Sequence, residues 1–218
     1  MPESSNIPSI AAPRRVKAWS FHRLKNFEAC PHRVELEVID GKREPEKPAD
    51  HPANRGIRIH TEAEDFVRGK ISELPTSLRK LDGNFTGLRD NFTSGNVELE
   101  GNWGFDQDWA PTDWWGKDIW ARIKLDAAVI EDAHARVIDY KSGKSFGNEV
   151  GHGQQTQLYA IATFLREPQL QTATTELWYV DEGKIVPKQF TRELALRLWP
   201  SYNRRALALT TATEFKPK

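Results

Sequence analysis

The chain has 218 residues, 38% of them apolar and 28% charged, with 31 basic residues against 31 acidic ones. That length fits one domain with a complete core, and the cancelling charge excludes a polycation while leaving room for a local basic patch. A mean hydropathy of −0.65 with no long uncharged apolar run argues against a membrane-spanning helix. The polar N-terminus has no secretion-signal pattern, and the one cysteine, Cys30, excludes an internal disulfide, so a reducing, cytoplasmic setting is expected.

Residues 1–16 read as a flexible lead-in to a single domain spanning 17–218. Charges from Arg14 to Lys25 are all positive. Ser20 is placed to cap a short helix carrying Phe21, Leu24 and Phe27, which ends at or before Cys30-Pro31. The stretch 42–54 holds three prolines and reads as a loop. Ile59, Ala63, Phe66 and Val67 repeat at helical spacing and predict a helix over 55–68, with His60 and Glu64 four apart on an adjoining strip. Leu78, Leu81, Phe85, Leu88 and Phe92 step 3-4-3-4 and predict another helix, despite Gly83 and Gly87.

Residues 97–103 alternate as a strand does. The stretch from Trp103 to Trp120 holds five of the eight tryptophans and fits a turn-rich loop whose rings cap the core, the functional alternative being a base-stacking platform. Two strands, 119–130 and 135–141, flank the turn signal Glu131-Asp132-Ala133-His134. A helix over 153–165, a hairpin of 174–180 with 185–191, and a last helix from Arg192, interrupted at Pro200, complete the series. Helices, then strands, then a helix and more strands make an α+β or mixed α/β domain.

The chemistry concentrates in the 119–141 hairpin. A turn centred between Asp132 and Ala133 sets Asp126 opposite Asp139, with Cβ atoms roughly 4.5–5.5 Å apart, and Lys124 opposite Lys141 on the same face. The other face, with Ile123, Leu125, Ala127, Val129, Ile138 and Tyr140, is a core surface. Two facing aspartates repel unless a cation lies between them, and a hard divalent metal is the simplest occupant. His60 and Glu64 offer further ligands. Lys141 follows Asp139 on one face, and Gln155 and Tyr159 project one turn apart from the next helix.

The chain resembles the PD-(D/E)XK nuclease superfamily, in the branch that contains the RecB nuclease domain, Cas4 and related phage exonucleases, as a phage-type single-domain member. The pieces that carry the likeness are Gly56-x-x-x-His60, Leu125-Asp126, Asp139-Tyr140-Lys141 followed by Ser142-Gly143-Lys144, and Gln155-x-x-x-Tyr159, in order from about Ser20 to Ala162. The resemblance implies a restriction-endonuclease-like core, a central mixed β-sheet flanked by helices. It also implies a catalytic set of Asp126, Asp139 and Lys141. Mg²⁺ or Mn²⁺ would be held by His60, Asp126, Asp139 and the backbone carbonyl of Tyr140. Lys141 would orient the attacking water, Gln155 and Tyr159 would position the DNA backbone and the lysine, and Glu64 would support His60 from behind. Lys124 and Lys144 are further candidates for phosphate contacts, as are the Arg14–Lys25 stretch and Arg204-Arg205.

Iron–sulfur members of that branch carry four cysteine ligands, one of them at a Cys-Pro like Cys30-Pro31. One cysteine cannot hold such a cluster, so no cluster is expected in these 218 residues, with Cys30 buried as a small hydrophobe. Gly143-Lys144-Ser145 lacks the earlier P-loop glycine, its place being taken by Ile138, and His60-Thr61-Glu62 lacks the zinc deaminase's Pro-Cys-x-x-Cys. The expected function is metal-dependent hydrolysis of DNA, by an exonuclease of recombination, repair or replication acting on single strands or duplex ends, delivered by a partner protein if at all, with no membrane role. The alternative is a non-catalytic DNA-binding or assembly module on the same fold.

Overall fold

Helix α1 (Phe21–Ala29) begins where the Ser20 hydroxyl accepts the Arg23 N–H, and it ends at Cys30 before Pro31. The computed structural model describes residues 14–48 and 51–218. The expected lead-in therefore lies outside the described residues as far as position 13, whereas Val16 is buried in the core. Helix α2 (Pro31–Val34) runs into a π-helical turn at Glu35–Ile39, neither of them foreseen. Cys30 is half-buried rather than buried, because it sits at the junction of α1 and α2 instead of on a core-facing strip.

Helix α3 (Pro52–Val67) starts with Pro at its first position, where no N–H is needed, and buries Ile59, Ala63, Phe66 and Val67, the four residues its periodicity singled out. The run from Leu78 to Phe92 is two pieces, a 3₁₀ segment (Thr76–Leu81) leading into helix α4 (Asp82–Thr93), with Leu78, Leu81, Phe85 and Leu88 buried. No described helix is long and apolar enough to cross a membrane.

The strands are β1 (Val97–Leu99), β2 (Asn102–Phe105), β3 (Pro111–Thr112), β4 (Ala121–Lys124), β5 (Ala127–Glu131) and β6 (His134–Lys141). Then come α5 (Glu149–Arg166), β7 (Thr172–Tyr179), β8 (Lys184–Thr191) and α6 (Arg192–Thr211). The larger sheet has the order β1-β5-β6-β7-β8, with β6 and β7 parallel across α5 and the other pairs antiparallel. A smaller antiparallel sheet has the order β3-β2-β4.

The β5–β6 hairpin has the register its turn dictates, with Ala127 paired to Ile138 and Glu131 to His134. Asp132 takes the left-handed conformation (φ 41°) that an aspartate tolerates at such a turn. The single strand expected over 119–130 is instead broken at Leu125-Asp126. Lys124 pairs with Asn102 in the small sheet, so it does not stand opposite Lys141. The next strand, from Ala127, pairs with β1 and β6 in the large sheet. The crossing is fixed by two backbone hydrogen bonds, Leu125 N–H to the Gly101 carbonyl (3.0 Å) and Glu100 N–H to the Asp126 carbonyl (2.9 Å).

Two cores result. On one side of the large sheet, Ala127, Val129, Ile138, Tyr140 and Trp178 pack against α3 and α4. On the other, Ala128, Val137 and Ala173 meet α5 and α6, and the same core takes in Ile123 and Leu125 from β4 and beyond. Trp103, Trp109 and Trp120 close that second core, with Trp19, Trp109 and Trp120 in mutual edge-to-face contact at 5.6–5.7 Å. Trp114 is half-buried and Trp115 is 82% exposed, so the core-capping reading holds for three of the five rings. Pro200 does not interrupt α6. The lost hydrogen bond, costing about 3 kcal/mol in an isolated helix, is outweighed by burial of Ala195 before it and Tyr202, Ala206 and Leu209 after it.

Candidate active site

Asp126 stands at the seam between the sheets and Asp139 in the middle of the large one. Both are nearly closed to solvent, at 8% and 4% exposure. Asp126 Oδ2 accepts the Tyr140 N–H at 2.6 Å, and its Oδ1 lies 2.9 Å from His60 Nδ1 on α3. Asp139 Oδ1 accepts from the Tyr159 hydroxyl (2.8 Å) and Gln155 Nε2 (3.1 Å), both on α5. The Lys141 ammonium is 2.5 Å from Asp139 Oδ2 and donates to Gln155 Oε1 at 3.0 Å. Asp139 Oδ2 is therefore a buried carboxylate oxygen whose one close polar partner among the described residues is the Lys141 ammonium.

These side chains, with Lys124 and Glu64, line one cleft of about 550 Å³. Glu64 makes no hydrogen bond to His60: its Oε1 pairs with Arg68 Nε at 2.7 Å, one turn along α3. The Tyr140 ring turns away from the cleft into the core against Phe85 and Trp178, so only its backbone faces Asp126. Lys144 is exposed on the loop after β6 and does not line the cleft. Lys124 lines it, paired with Glu100 at 2.7 Å.

Glu100 is the residue that sequence reasoning missed. Ligand atoms of His60, Glu100 and Asp126 lie within 4.8 Å of one another. Glu100 takes φ 54°, a conformation that costs a non-glycine residue about 1–2 kcal/mol, where the chain turns from β1 into β2. Strain of this kind persists where surrounding contacts over-determine it. Here those contacts are the hydrogen bond to the Asp126 carbonyl and the ion pair with Lys124. In sequence Glu100 reads, like Glu98, as one more polar residue of an alternating strand and carries no such signal.

The electrostatics are those of crowded acids. Burial raises the Asp126 pKa, the His60 hydrogen bond works against the rise, and the charge of Asp139 adds to it. Burial lowers the His60 pKa, but its hydrogen bond to Asp126 and that residue's charge outweigh burial, for a net rise. Tyr159 is pushed well above its ordinary value by burial and then by the Asp139 charge, and so stays a hydrogen-bond donor.

The donor set of His60, Glu100 and Asp126 fits a hard divalent cation: carboxylate oxygens and an imidazole whose ligand atoms lie together, with the charge of Asp139 nearby. His60, Glu100 and Asp126 are the residues that would hold it; Asp139, expected as a ligand, lines the same cleft but is not part of that cluster.

Similarity to a known family lies in the second part of the chain. Residues 119–218 match the model of the PD-(D/E)XK nuclease superfamily. The matched segment is just under half of the chain, and it is this part that is similar to the superfamily. The match contains Asp126, Asp139, Lys141, Gln155 and Tyr159 but neither His60 nor Glu100, and the mixed sheet flanked by helices is the restriction-endonuclease-like architecture. No curated protein sequence matches the chain. Among solved structures, a candidate exonuclease from Eubacterium rectale is 15% identical with a TM-score of 0.52, over 100% of this chain and 90% of that one. The protein SSO0001 is 13% identical with a TM-score of 0.41, over 88% of this chain and 77% of that one. The likeness to the first concerns the fold.

Proposed function

We propose that the chain is a divalent-metal-dependent deoxyribonuclease that hydrolyses phosphodiester bonds at DNA ends, in recombination, repair or replication. The observation that carries the reading is the buried Asp126–Asp139 pair with Lys141 beside it, inside the segment that matches the nuclease superfamily model. The exonuclease side of the proposal draws on the RecB-like order of motifs and on the fold shared with the E. rectale protein.

In this reading Asp126 and Asp139, with His60, Glu100 and the Tyr140 carbonyl, hold Mg²⁺ or Mn²⁺. The cation would neutralise charge on the phosphate and lower the pKa of a water. Lys141 reaches the same point from the Asp139 side. Its ammonium orients the attacking water and offsets the negative charge that grows on the phosphorane oxygens. Gln155 holds both partners at once, donating to Asp139 and accepting from Lys141, while Tyr159 fixes the carboxylate from beneath. Lys124 and Lys144 would meet the flanking phosphates.

The test uses the whole chain with 5′-labelled linear single-stranded DNA and a closed circle, in Mn²⁺ or Mg²⁺, beside Asp139→Ala and Lys141→Ala. Loss of the linear strand alone, slowed on the order of 10²-fold or more in both variants, is the expected result. Cleavage of the circle would change the reaction to endonucleolytic, and absence of cleavage by a folded, metal-binding chain would replace the proposal with a non-catalytic DNA-binding module.

A further inference from the structure

The candidate active-site cleft does not end at Lys141. Lys124, Lys141, Gln155 and Tyr159 also line a second cavity of about 600 Å³, which runs between α1, the N-terminal turns of α5 and the loop before β4. Its charged lining is Arg23, Lys25, Arg122, Lys124 and Lys141, with no carboxylate, on a chain whose formal net charge is zero. Among the described residues, Arg23, Lys25 and Arg122 make no ion pair. Arg23 is held below its ordinary pKa by burial and by the charge of Arg122, so these two cations share the wall without an anion between them. A third cavity, of about 920 Å³, continues from Arg23 and Arg122 to Arg14, Arg15 and Lys17.

Aromatic faces are set into the same wall. Trp115, 82% exposed, stands beside the Arg122 guanidinium at 4.9 Å and edge-on to Trp114. Arg122 Nε also donates to the Trp114 carbonyl at 3.1 Å, which fixes the segment that presents both rings. Phe21 lies across the cavity, half-buried, with the Lys25 ammonium 5.9 Å from its ring. Cations spaced along a groove with aromatic rings between them are the arrangement that follows a sugar–phosphate chain while offering faces to unpaired bases. A duplex offers no such faces, because its bases are stacked on one another.

We infer that the groove from Trp115 to Lys141 binds single-stranded DNA, with Trp115 as the base-stacking platform and Arg23, Arg122 and Lys124 on the backbone, and that it delivers a strand to the Asp126–Asp139 site. The inference rests on the nuclease reading only for what happens at the end of the path. It makes the substrate a single strand, and makes Trp115 a binding residue that acts on bases and not on phosphates.

The experiment measures fluorescence anisotropy of the whole chain in EDTA, where no metal-dependent hydrolysis occurs. The probes are a labelled 15-nucleotide oligothymidylate, an abasic strand of the same length, and a blunt duplex. Wild type is expected to bind the oligothymidylate about ten-fold more tightly than the abasic strand, the worth of one base–aromatic stack. Trp115→Ala is expected to bind both as wild type binds the abasic strand. Because the ring is exposed, this variant keeps the core. Arg122→Met is expected to weaken both strands, and the duplex to compete poorly.

Equal binding of the two strands by wild type, retention of the preference by Trp115→Ala, or a duplex that competes as well as the single strand would each overturn the inference. The nuclease reading fails separately. Strand binding with the expected preference but no cleavage in Mn²⁺ refutes the nuclease and leaves the groove, whereas cleavage without base preference refutes the groove and leaves the nuclease.

Discussion

Crowding of His60, Glu100 and Asp126, with the charge of Asp139 beside them, predicts that Mg²⁺ or Mn²⁺ stabilises the folded chain measurably, independent of any catalysis. A ligand that binds only the native state stabilises it by about 2.7 kcal/mol at a concentration 100 times its Kd. At about 2.1 cal/mol/K of unfolding entropy per residue, 218 residues carry roughly 0.46 kcal/mol/K, so the expected rise in Tm is about 6 °C. The perturbation is Asp126→Asn, which keeps the shape and an acceptor for the Tyr140 N–H but removes the charge.

Without metal, the variant is expected to melt no lower than wild type. The Asp126 pKa is raised in the folded state by burial, so ionising it opposes folding. With metal, the variant's Tm rise should be lost. The sign with pH is fixed too. A raised folded pKa means that the contribution of Asp126 to metal-free stability is present below its unfolded value and lost as pH rises through the folded one. Metal binding needs the opposite form, and must also displace the proton favoured on His60, so the metal-dependent rise grows with pH. Differential scanning fluorimetry across a metal and pH series reads all of this. A wild-type Tm indifferent to either metal, or a rise that survives in Asp126→Asn, would refute the reasoning.

Two further predictions rest on other residues. Glu100→Gly removes the positive-φ penalty at the β1–β2 corner, so the metal-free Tm should rise, by about 1 kcal/mol of stability, while the metal-dependent rise shrinks; a metal-free Tm below wild type in the same melts would contradict it. The Tyr202 hydroxyl, which donates to the Gln154 carbonyl at 2.7 Å, has its pKa raised by burial to about 12. Its contribution is complete below the unfolded value near 10 and is lost as pH climbs to about 12, a loss of roughly 2–3 kcal/mol by the upper end; urea titrations from pH 9 upward should show it in wild type and not in Tyr202→Phe.

Local chemistry made much of the molecule legible. The Ser20 cap and Cys30-Pro31 bound α1, and the apolar spacing of Ile59, Ala63, Phe66 and Val67 gave α3 its buried face. The Asp132-Ala133 turn fixed a register that aligns β5 with β6 residue by residue, because a turn of given length leaves a hairpin one pairing in which its apolar set faces the core. The order of the motifs, from His60 through Asp126, Asp139 and Lys141 to Gln155 and Tyr159, names side chains that the folded chain gathers into one cleft.

What stayed hidden depends on partners far away in sequence. Nothing near Leu125 tells that β4 pairs with β2 while β5 pairs with β1, yet that divided pairing breaks the expected strand and pairs Lys124 with Asn102 in place of Lys141. Glu100 comes to His60 and Asp126 only because the β1–β2 corner crosses the β4–β5 corner. The tryptophans look alike in sequence. Trp103, Trp109 and Trp120 found partners in the core, and Trp115 found only Arg122 and Trp114 at the surface. Pro200 sits inside a helix that its packing holds together. Period, caps and turns are properties of neighbouring residues and so belong to the sequence. Which corner meets which, and which ring is left outside, is decided by long-range pairing, and only the tertiary structure holds it.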